Sequence, residues 1–88
     1  MKKTQNQSND SSANDSAAQR ARLLKALQQR SISTLEARHD LDVLHPAARV
    51  QELRERGWNI LTHWDSQETK PGHVHRVARY VLLARGDQ

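Results

Sequence analysis

The hydrophobic period changes at Gly57, and that change restricts what the chain can fold into more than any other feature of its sequence. Up to Gly57 the apolar residues recur at helical spacing, roughly every 3.6 residues. Beyond it Trp58, Ile60, Thr62 and Trp64 alternate with Asn59, Leu61 and His63, the two-residue period of a strand. The polar stretch Asp65–Gly72 then reads as a long loop, closed by the turn signal Pro71-Gly72. A second strand follows from His73 to Leu83. Its end, Tyr80-Val81-Leu82-Leu83, is almost continuously apolar, which implies burial on both faces or contact with another chain.

Three helical segments precede Gly57. The spacing Ser16-x-x-Gln19 has the form of a capping box, and Ala17 to Arg30 contains neither Gly nor Pro, so the first helix is expected there. Ala21, Leu24 and Gln28 form one stripe, with Leu23, Ala26 and Leu27 beside it. Ser31-Ile32-Ser33 is a connector in which Ile32 can pair as a very short strand. Ser33-x-x-Glu36 repeats the capping pattern and starts a second helix that ends near Asp40. Asp40-Leu41-Asp42-Val43 is a turn with two apolar residues facing inward, and Asp42 suits it because Asp tolerates left-handed backbone angles. The third helix begins at His45-Pro46 and ends at Gly57, with Pro where a missing N–H is harmless and Gly just past the end. Ala47, Val50 and Leu53 give it a narrow packing stripe and leave a broad polar surface.

Composition narrows the classes further. The 88 residues are a prior for one domain, and the absence of Cys excludes disulfides, thiolate metal sites and cysteine nucleophiles. No apolar run reaches the roughly 20 residues of a membrane span and no signal-peptide core follows Lys2 and Lys3, so a cytoplasmic, membrane-free protein is expected. Residues 1–16 are almost wholly polar and read as a disordered tail; residues 17–84 form the domain, and 85–88 a short polar tail. The charges of the first segment cancel, which leaves the net +4 on the folding part. That balance fits an anionic partner.

The order helix, short strand, helix, turn, helix, strand, loop, strand is that of a winged helix-turn-helix: mainly α, three helices with a two- or three-stranded antiparallel sheet. In such a scaffold two helices and the sheet hold the third helix from behind, and its outer face is free to enter a major groove about 12 Å wide. The residues Leu35-Glu-Ala-Arg38, Leu41-x-Val43, His45-Pro-Ala-Ala-Arg-Val-x-Glu-Leu-Arg54, Arg56-Gly57 and His75-Arg-Val-Ala-Arg-Tyr-Val-Leu82 resemble a family of small winged helix-turn-helix proteins of bacterial genomes and prophages. The resemblance spans residues 20–84. It implies a DNA-binding fold with the third helix as recognition helix. Asp42 stands where that family more often has Gly, and Leu44 where a capping Ser or Thr is expected.

The candidate DNA contacts follow from position and chemistry. Arg49 leads, early in the third helix, because Arg forks onto guanine; the alternative is a surface Arg paired with Glu52. His45 sits at a helix N-terminus that favours phosphate. Ala48, Gln51, Glu52 and Arg56 complete the helix set, with Glu52 and Glu55 able to accept from cytosine or to hold Arg side chains in place. Lys70, His73 and His75 form a modest basic wing, with Arg76 nearby, and Lys70, His73 and Arg76 join the candidate contacts. His63, Asp65, His73 and His75 could in principle ligate a metal, but an exposed hairpin offers no supporting shell, so neither metal nor cofactor is expected. Trp58, Trp64 and Tyr80 are expected in the core or a dimer contact. No catalytic motif is present, and the expectation is a non-enzymatic, sequence-specific binder of double-stranded DNA, a small transcriptional regulator or a recombination factor. Homodimerisation through the first helix or the last strand would fit. The rival reading is a protein-interaction module on the same scaffold.

Overall fold

The computed structural model describes residues 14–83. Its elements run α1 (Ser16–Leu27), β1 (Ile32–Ser33), α2 (Thr34–Asp40), α3 (Pro46–Glu55), β2 (Ile60–Lys70) and β3 (His73–Leu82). The strands form one antiparallel sheet in the order β1-β3-β2. Among the described residues, three helices and a three-stranded antiparallel sheet make the winged helix-turn-helix expected from the order of elements. Residues 1–13, most of the expected polar tail, and the tail 85–88 lie outside the described residues.

α1 begins one residue earlier than the sequence pattern implies. Asp15 is its N-cap, and its carboxylate accepts from the Ala18 N–H at 2.9 Å, so Ser16 is already helical. The Ser16–Gln19 capping box does not form, because Gln19 is buried and occupied elsewhere. Its amide donates to the Asn14 carbonyl at 2.8 Å and accepts from the Leu44 N–H at 3.0 Å. That bond fixes the chain just ahead of α3. The buried stripe of α1 is therefore Gln19, Leu23 and Leu27, while Ala21 and Gln28 face solvent. Past Leu27 the helix tightens into a turn, with the Gln29 N–H reaching the Ala26 carbonyl three residues back at 2.9 Å, an acceptor that the Arg30 N–H shares at 3.0 Å.

The Ser33 capping box does form: the Glu36 N–H donates to Ser33 Oγ at 3.0 Å, and the Ser33 N–H to Glu36 Oε1 at 2.9 Å. Ser33 also belongs to β1, which pairs Ile32 with Tyr80 and Ser33 with Arg79, so one residue fixes α2 to the sheet. Between α2 and α3 Asp42 takes φ 55°, the left-handed angle that lets the chain reverse in so few residues. The Arg22 guanidinium of α1 closes over this turn, donating to the Leu41 carbonyl at 2.6 Å and the Asp42 carbonyl at 3.0 Å. Val43 is completely buried beneath it.

α3 opens with Pro46 in its first turn and ends in a Schellman motif. The Trp58 N–H reaches the Leu53 carbonyl at 3.1 Å, and the N–H of Gly57, at φ 97°, reaches the Arg54 carbonyl at 3.0 Å. Its buried stripe is Pro46, Val50 and Leu53; Ala47, expected on that stripe, is exposed. Val50 and Leu53 join Leu23, Leu27, Ile32, Ala37, Val43, Ile60, Ala78 and Tyr80 in the core, with Trp58 and Leu82 packed against it.

The hairpin is longer than the sequence pattern implies. Asp65–Lys70, expected as loop, continues β2, because β3 supplies a partner at each step from Ile60↔Leu82 to Glu68↔Val74, with one irregularity before Lys70↔His73. This outer half projects past the core, so polar side chains on both faces cost nothing while the ladder satisfies the backbone. The turn proper is Pro71-Gly72, where Gly72 takes φ 79° and donates its N–H to the Glu68 carboxylate at 2.8 Å. Trp64 lies where β2 leaves the core and is 55% exposed, so of its two expected places, core or dimer contact, it does not take the core.

Asp42 gives a direct test of the turn. Asp42→Gly is expected to unfold close to the native temperature. Asp42→Val, which places a β-branched residue in the left-handed region, is expected to cost about 1–2 kcal/mol in chemical denaturation.

Candidate nucleic-acid interface

α3 is fastened on three sides by its neighbours. Toward α1, Glu52 sits between two arginines: Arg20 Nη1 lies 2.8 Å from Oε1, and Arg49 Nη2 lies 2.9 Å from Oε2. Toward the sheet, Arg54 donates through Nε and Nη2 to the Ile60 carbonyl at 2.9 and 2.7 Å, and through Nη2 to Thr62 Oγ1 at 2.9 Å. Beneath lies the Val50–Leu53 stripe. What remains outward is Ala47, Ala48, Gln51 and Glu55, all exposed, led in by exposed Leu44 and His45.

The leading candidate, Arg49, is thus placed differently from a free cation. Its side chain is 14% exposed, its guanidinium is held by Glu52, and its Nε is buried without a hydrogen bond. Glu52 holds Arg side chains in place, one of the two roles its position allowed. The hydrogen bond from Arg20 is the main reason its carboxyl titrates below the ordinary range, with the Arg49 charge adding to it. Arg56, exposed at the C-terminal end of α3, donates Nη1 to the Glu52 carbonyl at 3.2 Å. His45 is the N-cap residue, exposed and making no cap hydrogen bond with its side chain, and its imidazole has no ion pair or hydrogen bond among the described residues.

The second half of the surface is the hairpin. Lys70 and His73 face each other across its tip, and both are exposed. Arg76 points back along the strand with its guanidinium 4.9 Å from the Trp64 ring centroid, a cation–π contact that holds it extended over the indole. Between hairpin, α2 and the start of α3 lies an open groove of about 490 Å³. Leu35, Ala47 and Tyr80 line it, and the exposed side chains of Arg38, His75 and Arg76 add three basic groups. Arg38 was not among the sequence candidates. It lies on a helix expected only to pack, and nothing local indicates that the last turn of α2 faces the hairpin. It makes no ion pair among the described residues.

The histidines do not converge. His63 pairs with Arg79 and His75 with Gln67, so the two are four strand positions apart, about 13 Å at 3.3 Å per residue. His63 lies 3.3 Å from Asp65, whose other oxygen binds Arg79 Nε at 2.9 Å. Among the described residues no group of His, Asp and Glu is arranged to hold a metal. No described helix is long and apolar enough to cross a membrane.

Residues 18–85 match the sequence model of a winged helix-turn-helix domain family. Neither a curated protein nor a solved structure matches the chain significantly.

The Glu52 clamp has a pH signature. A carboxyl whose folded pKa is depressed adds stability that is fully present above its ordinary value of 4.5 and is lost as pH falls through the folded value. Glu52→Gln is therefore expected to melt below the native protein at pH 7, with the gap closing as both are acidified below 4.5. A gap independent of pH would contradict this account of the clamp.

Proposed function

The chain belongs to the winged helix-turn-helix domain family, a DNA-binding fold, and on that premise we propose that it is a non-enzymatic, sequence-specific binder of double-stranded DNA. In this reading α3 enters the major groove and the hairpin meets the adjacent backbone or minor groove. The observation that carries it is the juxtaposition of an uncovered helix face (Ala47, Ala48, Gln51) with a groove bearing Arg38, His75 and Arg76. A duplex strand laid along that groove brings phosphates to both arginines while the helix faces base edges. Phosphate contacts of this kind set register and most of the affinity; base edges set sequence.

The role that fits best in this reading is a small prophage-type transcriptional regulator or architectural factor acting in the cytoplasm. Dimerisation through the end of β3 belongs to the same proposal: Leu61 and Leu83 are exposed there, and Leu61 pairs with half-buried Val81. A second copy on this apolar edge would give the operator two-fold symmetry.

Titration of the protein against duplex fragments at several salt concentrations tests the proposal. Binding is expected to weaken with a slope near −0.9 per phosphate engaged, for about 4–6 phosphates per protomer. Arg38→Ala and Arg76→Ala should each weaken binding on every sequence and reduce that slope by about 1. Absence of retention on any duplex at low salt would contradict it and favour the protein-interaction module.

A further inference from the structure

We infer that the first two turns of α3 select A·T pairs, because Glu52 withholds Arg49 from guanine while Gln51, Ala47, Ala48 and Leu44 present the chemistry of adenine and thymine. The inference rests on the DNA-binding reading and specifies the base pairs that surface takes. In the major groove guanine is read by a cationic fork onto O6 and N7, adenine by the amide of Asn or Gln onto N6 and N7, and the thymine methyl by apolar contact. Base contacts come chiefly from the N-terminal residues of a recognition helix.

Neither arginine of α3, nor Arg56 just past its end, offers a free fork at the N-terminal end. Arg54 and Arg56 lie in or beyond its last turn, bonded to the Ile60 and Glu52 carbonyls. Arg49 is the one in range, and it is closed onto Glu52. That carboxylate cannot swing away with Arg49, because Arg20 of α1 fixes its other oxygen at 2.8 Å. Releasing Arg49 means breaking one of two ion pairs on a shared carboxylate and exposing a side chain now 14% accessible.

The side chains left facing out are of the other kind. Gln51 is exposed and its side chain makes no hydrogen bond among the described residues, so both ends of its amide are available to N6 and N7 of an adenine. Ala47 and Ala48 are exposed on the turn before it, small enough for the helix to sit deep and apolar enough to meet thymine methyls. Leu44 adds an apolar side chain 52% exposed at the same end. Glu55, which could accept from cytosine, lies a further turn toward the C-terminus.

The test is selection of bound sequences from a random duplex library by the full chain and by the Gln51→Ala and Glu52→Ala variants. The native protein should return a consensus with A·T pairs at the positions beneath α3. Gln51→Ala should lose the adenine preference at one position by about tenfold or more. Glu52→Ala, with Arg49 released, should gain guanine at a neighbouring position. A native consensus centred on guanine that disappears in Arg49→Ala would overturn the inference and leave the DNA-binding reading standing. Retention of the whole library without enrichment would do the same. Failure to retain any duplex would remove both together. The native consensus decides the matter even if Glu52→Ala does not fold.

Discussion

What α3 shows to solvent depends on how its back is fixed, and in so small a core apolar packing does only part of that work. Val50 and Leu53 bury a stripe, but a stripe alone allows a short helix to roll. The remaining constraint is polar. Arg20 and Arg49 hold Glu52 from the α1 side, and Arg54 holds the Ile60 carbonyl from the sheet side. Arg22 of α1 spans the carbonyls of the turn that leads into α3. Arg20 and Arg22 join elements far apart in sequence, while Arg49 and Arg54 are taken up by groups close to them in the chain, which explains why a chain with net charge +4 presents so few free cations on its helix face.

This division of labour changes how the basic character is used. The arginines near the helix are spent on architecture, whereas those around the groove, Arg38 and Arg76, stay exposed. In the proposed DNA-binding mode, electrostatic attraction to a polyanion comes from the hairpin and α2, and discrimination from neutral side chains on α3. Arg76 is kept in place by the Trp64 face, so an exposed indole that would otherwise be a liability orients a cation. On the opposite side of the sheet Arg79 joins Asp65, Ser31 and Glu36, a network that ties β1, α2 and the hairpin together away from the proposed DNA face.

Much of the fold was legible in the residues themselves, since the signals are local. The Ser33–Glu36 box, Pro46, Asp42 and Gly57 each impose a backbone geometry regardless of tertiary context, and the structure has each in that role. Misread features depended on partners distant in sequence. Gln19 looked like half of a capping box, but burial beside Leu44 gave it other bonds. Asp65–Lys70 looked like loop because its side chains are polar, yet strand pairing satisfies main-chain groups whatever the side chains are. Trp64 looked like core because large aromatics usually are. For the site, position along α3 and the alternative of an Arg49–Glu52 pair, three residues apart, could be read from helical spacing, but the fixing of that carboxylate from its other side could not. It depends on Arg20, 29 positions before Arg49 in the numbering, meeting the same carboxylate. Arg38 was missed for the same reason, since its neighbour across the groove is a strand nearly 40 residues away.

The central claim is that the outer face of α3 and the hairpin groove together form the surface that meets a duplex. Amide chemical-shift mapping of the isotope-labelled protein, titrated with a short duplex at low salt, measures this residue by residue. The account predicts the largest shifts at Ala47, Ala48 and Gln51 and along Lys70 to Arg76, with α1 and the Leu61–Val81 side of the sheet little changed. Shifts concentrated on α1 or around Leu61 instead, with α3 silent, would contradict it.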